Sequence, residues 1–172
     1  MFFAVLFIAS ACALTVAVIV SNIGHKDDAA TSTSADADTS TPNAEDKSVL
    51  QGTQLKDFTP VASIPTLQKV DTVVGTGAEV KAGDTVTVDY TGAVAATGTI
   101  FQSSLDTGQT VSFGLNQVIA GWTQGVPGMK VGGTRRLLIP ASLAYGANPP
   151  SGSGIPANAD LVFDITLHSI GK

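Results

Sequence analysis

Thr85-Val86-Thr87-Val88-Asp89-Tyr90 and Leu161-Val162-Phe163-Asp164-Ile165-Thr166-Leu167-His168 decide the fold. In the first stretch Val86, Val88 and Tyr90 alternate with polar neighbours, the period of a half-buried strand. In the second, Leu161, Phe163, Ile165 and Leu167 make one face. Val162, Asp164, Thr166 and His168 make the other, so His168 is expected to point away from the core into water. Thr110 to Phe113 and Thr134 to Ile139 read as further strands. Gly75-Thr76-Gly77, Lys81-Ala82-Gly83-Asp84 and Asp106-Thr107-Gly108 read as turns. The Gly75-x-Gly77 pair lacks the third glycine and the following helix of a nucleotide-binding loop. One short helix is predicted, starting near Gly121-Trp122 and stopped by Pro127 and Gly128. The fold class is therefore α+β, an antiparallel sheet with one short helix against it.

Outward from this domain, placed at 62–172, the chain changes character. Residues 27–61 are rich in Ala, Ser, Thr and Asp, and seven acids against two lysines carry the whole net charge of −5. Such a segment cannot bury enough surface to offset its ordering entropy, and it reads as a disordered linker. Residues 1–26 contain the uncharged run Phe2–Val20, about the ~20 apolar residues needed to cross a bilayer. An uncleaved anchor is one reading. A cleaved signal is another, although no Lys or Arg precedes the run. A lipoprotein would use Cys12, where Ala9 stands in place of the larger aliphatic residue expected. The domain is expected outside the cytoplasm, anchored to the membrane, or secreted if the N-terminus is cleaved.

The composition excludes several functions. The acidic balance argues against nucleic acid, whose phosphates need a basic face. One cysteine allows no intrachain disulfide and no zinc ribbon,. The two histidines, His25 and His168, lie far apart in sequence and His25 falls outside the domain, which argues against a His-based triad or metal cluster. No metal and no cofactor are expected.

Six aromatics fall within the domain: Tyr90, Phe101, Phe113, Trp122, Tyr145 and Phe163. Plain core is one account of them. A concave binding site is the other, because two carry hydroxyls that want partners. In addition, the stretch Asn148–Ala157, with three prolines, two glycines and two serines, is a long irregular loop of the kind that carries function,.

Linear motifs bear on that choice. They run Val88-Asp89-Tyr90-Thr91-Gly92, then Phe101-Gln102-Ser103-Ser104, then Phe113-Gly114-Leu115-Asn116-Gln117-Val118-Ile119-Ala120-Gly121-Trp122. Gly128-Met129-Lys130-Val131-Gly132-Gly133-Thr134-Arg135-Arg136-Leu137-Leu138-Ile139-Pro140 and Leu143-Ala144-Tyr145-Gly146 follow. Ile155-Pro156 and Leu161-Val162-Phe163-Asp164 complete the set. In this order and spacing, from about Leu67 to Ile170, the chain resembles the FKBP family of peptidyl-prolyl cis/trans isomerases.

The resemblance implies a five- or six-stranded antiparallel sheet curved around one short helix, with the site between them. Its walls would be Tyr90, Phe101, Val118, Ile119, Tyr145, Ile155 and Phe163, with Trp122 as the floor. Val111 stands where many members carry an aromatic. The Tyr145 hydroxyl and the Ile119 N–H would donate to substrate carbonyls. Gln102 departs from the pattern, since the family usually has Asp there, bonded to the tyrosine at the Tyr90 position. Implied partners are proline-containing polypeptides, and macrolides of the rapamycin or tacrolimus type with an affinity that Gln102 puts in question. The expected function is isomerisation of X–Pro bonds in exported proteins by a monomer. The alternative is a non-catalytic proline-peptide-binding or chaperone module.

Overall fold

The computed structural model describes residues 49–171. The six strands are β1 (Gln68–Val73), β2 (Thr85–Val94), β3 (Ile100–Ser103), β4 (Val111–Gly114), β5 (Thr134–Ile139) and β6 (Leu161–Gly171). The one α-helix among the described residues, α1, spans Ala120–Gly125, and short 3-10 turns occupy Ser104–Asp106 and Ala141–Leu143. Every strand pair is antiparallel, in the order β1-β5-β6-β2-β3, and β4 shares the β3 edge of β2. The α+β expectation holds, with six strands. β1 and β3 escaped the alternation: β1 is exposed along its whole length, and β3 is four residues long and contains a bulge, where Gly92 pairs with Gln102 and Ala93 with Ile100, so Phe101 has no partner in the ladder.

The main core follows the predicted alternation. Val86, Val88 and Tyr90 of β2 and Leu161, Phe163, Ile165 and Leu167 of β6 are buried together with Leu115, Trp122, Val126, Leu137 and Ile139. Helix α1 lies against β5 with no side-chain cap. At six residues, two of them glycine, it is too short to be stable alone, so packing holds it. The glycines permit the approach: a Cβ at Gly121 would lie 2.4 Å from Ile139 Cγ2, and one at Gly125 would lie 2.7 Å from Leu137 Cδ1.

The expected boundary at 61–62 does not match the packed chain. Leu55 is 6% exposed and joins Ala93, Ile100 and Val162 in a second cluster, with Leu50 and Phe58 packed against it. Val162 belongs to the face predicted to be outer, and this segment covers it. The backbone adds to the hold, through Gly52 N–H to the Ile100 carbonyl at 2.7 Å and Leu55 N–H to the Gly98 carbonyl at 2.8 Å. The Arg136 guanidinium pairs with Asp164, donates to the Lys56 and Asp57 carbonyls, and lies 5.6 Å from the centre of the Phe58 ring. Leu55 and Phe58 are among the few sizeable apolar side chains between Leu50 and Ile64, too sparse to alter the polar average over 27–61. The rest of that linker and the run Phe2–Val20 lie outside the described residues.

Candidate active site

Five rings converge between α1 and the sheet. Trp122 stands 5.7 Å from Tyr90, 5.4 Å from Phe113 and 5.5 Å from Phe163, centre to centre, in each case edge to face. Phe101 meets Phe163 at 5.7 Å in the same manner. These are the favoured geometries for ring quadrupoles. Gly92 makes the Phe101–Phe163 contact possible, because a Cβ there would lie 2.6 Å from one ring and 2.7 Å from the other.

Around this buried base are residues that keep some exposure. Val111, Val118, Ile119 and Tyr145 are half-buried and pack against the main core, and Ile155 is buried in the loop before β6. That loop is held in place by Asn158 N–H to the Gly146 carbonyl at 2.7 Å and by the Asp160 carboxylate, which accepts from Ala141 N–H at 2.7 Å. Tyr90, Phe101, Val111, Val118, Ile119, Trp122, Tyr145, Ile155 and Phe163 thus all belong to the same core and its margin.

The donors implied for substrate are uncommitted. Among the described residues, neither the Ile119 N–H nor the Tyr145 hydroxyl bonds a protein acceptor. Both tyrosines are protonated at neutral pH. Burial pushes the Tyr90 hydroxyl up to about 12, with the nearby Tyr145 adding to it, and burial also raises Tyr145. Gln102 is half-buried on β3 opposite Gly92, and no hydrogen bond among the described residues joins it to Tyr90.

Two features were not assigned to the site from the sequence, although Phe113 was among the aromatics weighed as core or binding site. Phe113 is as much part of the ring cluster as Trp122, 5.7 Å from Tyr90. Its place within a quoted motif was the available signal. His168 is exposed, as expected, and its Nε2 also lies 2.7 Å from Asp89 Oδ2. It stands at a bulge: Thr87 pairs with Ser169 and Val88 with Leu167, leaving His168 unpaired in the ladder.

A family model described as FKBP-type peptidyl-prolyl cis-trans isomerase matches residues 77–168. The chain belongs to that family. FKBP-type relatives agree in sequence and fold, and the enzyme is a peptidyl-prolyl cis-trans isomerase. A probable FK506-binding protein of Corynebacterium glutamicum is 53% identical over 100 residues, covering 58% of this chain and 82% of the relative. The FKBP-type isomerase FkpA of Aeromonas hydrophila is 52% identical over 100 residues, 58% of this chain but only 36% of the longer FkpA. Among solved structures, AtFKBP13 superposes with a TM-score of 0.56 at 35% identity, over 63% of this chain and 96% of its own. FkpA from Escherichia coli gives a TM-score of 0.55 at 41% identity, over 60% of this chain and 47% of its own.

A separate cavity of about 380 Å³ lies elsewhere, bordered by Leu50, Leu55, Lys56, Asp89, Leu105 and Asp164 among others. Of the sequence-predicted site residues only Tyr90 borders it. It takes in Tyr90 alone of the five convergent rings.

Proposed function

We propose that this isomerase turns X–Pro bonds in exported polypeptides. In this reading it sits outside the cytoplasm as a monomer held by Phe2–Val20, and it uses the ring cluster as its prolyl pocket. The observation that carries the pocket is the coincidence of five packed rings with two uncommitted donors, Ile119 N–H and Tyr145 O–H, at their margin. Rotation about X–Pro breaks amide conjugation, at a barrier of ~18–20 kcal/mol. Uncatalysed, it takes tens of seconds or more, slow enough to limit folding.

No charge has to be created. The prolyl ring packs on Trp122, with Tyr90, Phe101 and Phe163 beside it. The twisted amide has lost resonance and is less polar than the planar one, so a dry aromatic site binds it better: differential binding of the transition state. The two donors hold the carbonyls of the twisted backbone. An acceleration of 10³ needs only about 4 kcal/mol. A protease-coupled assay with a proline tetrapeptide tests the pocket. Trp122→Leu, with the fold checked by circular dichroism, should lower kcat/KM, and peptide should quench or shift the emission of native Trp122. Unchanged turnover in the variant would sink the pocket assignment.

Gln102 supports a second reading, a binding module with little turnover, because an uncharged amide replaces the family's usual carboxylate beside Tyr90. Gln102→Asp should then raise turnover and macrolide affinity together. Turnover of the native chain at the level of the Gln102→Asp variant would dismiss it.

Location has its own test. Carbonate extraction followed by protease shaving of spheroplasts should find the chain in the membrane with its domain accessible. Recovery of full-length protein in the soluble cytosol would overturn that part. Among the described residues no helix is long and apolar enough to cross a membrane, so the anchor rests on Phe2–Val20 alone.

A further inference from the structure

Tyr90 occupies the point where one edge of β2 changes partner. β4 pairs with β2 as far as Val88, and β3 takes over at Thr91. The Tyr90 backbone groups face the gap and meet serine hydroxyls in place of a strand. Its N–H donates to Ser104 Oγ at 3.0 Å, and its carbonyl accepts from Ser103 Oγ at 3.3 Å. Ser104 is 4% exposed and has a single proton to give. Its oxygen receives the Tyr90 N–H, so the proton goes elsewhere, to Asp89 Oδ1 at 3.1 Å. The other oxygen of that carboxylate meets His168 Nε2 at 2.7 Å, at the bulge of β6.

We infer that Asp89 is a positioning residue for the isomerisation. Its carboxylate turns the Ser104 hydroxyl so that a lone pair faces the Tyr90 N–H, and this fixes the Tyr90 ring against Trp122. The inference rests on Tyr90 and Trp122 being pocket walls. The physical basis is the asymmetry of buried hydrogen bonds: a hydroxyl free to rotate can leave the Tyr90 N–H unpaired, and an unpaired buried donor costs more than a made bond gains. The strand then relaxes at the residue that touches the substrate. His168 contributes less than Ser104, because its side chain is half-exposed and water competes for the contact.

The test is a double-mutant cycle on the full chain with a proline tetrapeptide. The variants are Asp89→Ala, Ser104→Ala, the two combined, and Asp89→Asn. The readouts are kcat and KM separately, Trp122 emission, and the urea midpoint. Asp89→Ala should lower kcat roughly 3- to 10-fold, the range of one hydrogen bond, with KM changed less than twofold and Trp122 emission shifted. It should lower kcat no further in the Ser104→Ala background. Asp89→Asn should restore most of the rate, since its amide oxygen still accepts from Ser104. Independent effects of the two alanine changes on kcat, or a kcat that only follows the folded fraction, would overturn the inference while leaving the pocket intact. Trp122→Leu with undiminished turnover would overturn the pocket and the positioning role with it.

Discussion

Tyr145→Phe removes one hydroxyl and almost no volume. If that hydroxyl donates to the twisted substrate, the loss is one hydrogen bond of about 0.5–1.5 kcal/mol, a two- to twelvefold fall in kcat/KM. The folded state loses nothing, because the hydroxyl bonds no protein group among the described residues. The urea midpoint should stay where it is, and a lowered midpoint with unchanged kcat/KM would return Tyr145 to the core. Tyr90 gives an alkaline prediction. Its hydroxyl is pushed up to about 12 in the folded chain, against about 10 for an unperturbed tyrosine. Between those values the unfolded chain has released the proton and the folded chain has not. This contribution to stability is therefore full below about pH 10 and is lost as pH rises through about 12. Urea midpoints followed from pH 8 upward should begin to fall near pH 10, and Tyr90→Phe should make the fall shallower.

Among the elements, α1 depends most on its neighbours. It is short, uncapped and rich in glycine, and its register on β5 places Trp122 under the other rings. Gly121→Ala would bring a Cβ to 2.4 Å from Ile139 Cγ2. Ile139 is fully buried, so the helix must move away. Overpacking of this kind costs about 1–3 kcal/mol. Here it should also displace Trp122, so kcat/KM should fall in molecules that calorimetry shows to be folded. A normal kcat/KM with a lowered melting temperature would mean that the position of the helix does not govern the pocket.

For the whole molecule the decisive boundary lies before Leu50. Removing residues 1–48 should leave the melting temperature and kcat unchanged, because Phe2–Val20 is read as an anchor and residues 27–48 carry no large apolar side chain to pack. Removing residues 1–64 removes the buried side chains Leu55 and Ile64 and the half-buried Phe58. Burying one leucine is worth about 2–5 kcal/mol relative to alanine, so the second truncation should lower the melting temperature by several degrees or more. Equal melting temperatures for the two truncations would show that residues 49–64 rest on the sheet without stabilising it.

By itself the sequence determined the α+β class, the strands with clear alternation, the helix stop and the roster of aromatic residues. Each of these is set by local period or local sterics, and the family motifs added the order in which the walls are assembled. Tertiary structure decided what depends on partners distant along the chain. The four residues of β3 carry too little period to be read, and the sheet reveals them by pairing with β2. Leu55 looked like linker because the apolar surface it covers, Ala93, Ile100 and Val162, comes from three strands. His168 is exposed as alternation expected, but only the pairing of β2 with β6 shows that its ring meets Asp89, 79 positions away. Phe113 belonged to a motif, but only packing placed its ring against Trp122. Local preferences are written residue by residue, whereas burial, bulges and long-range hydrogen bonds are properties of pairs that the chain brings together only on folding.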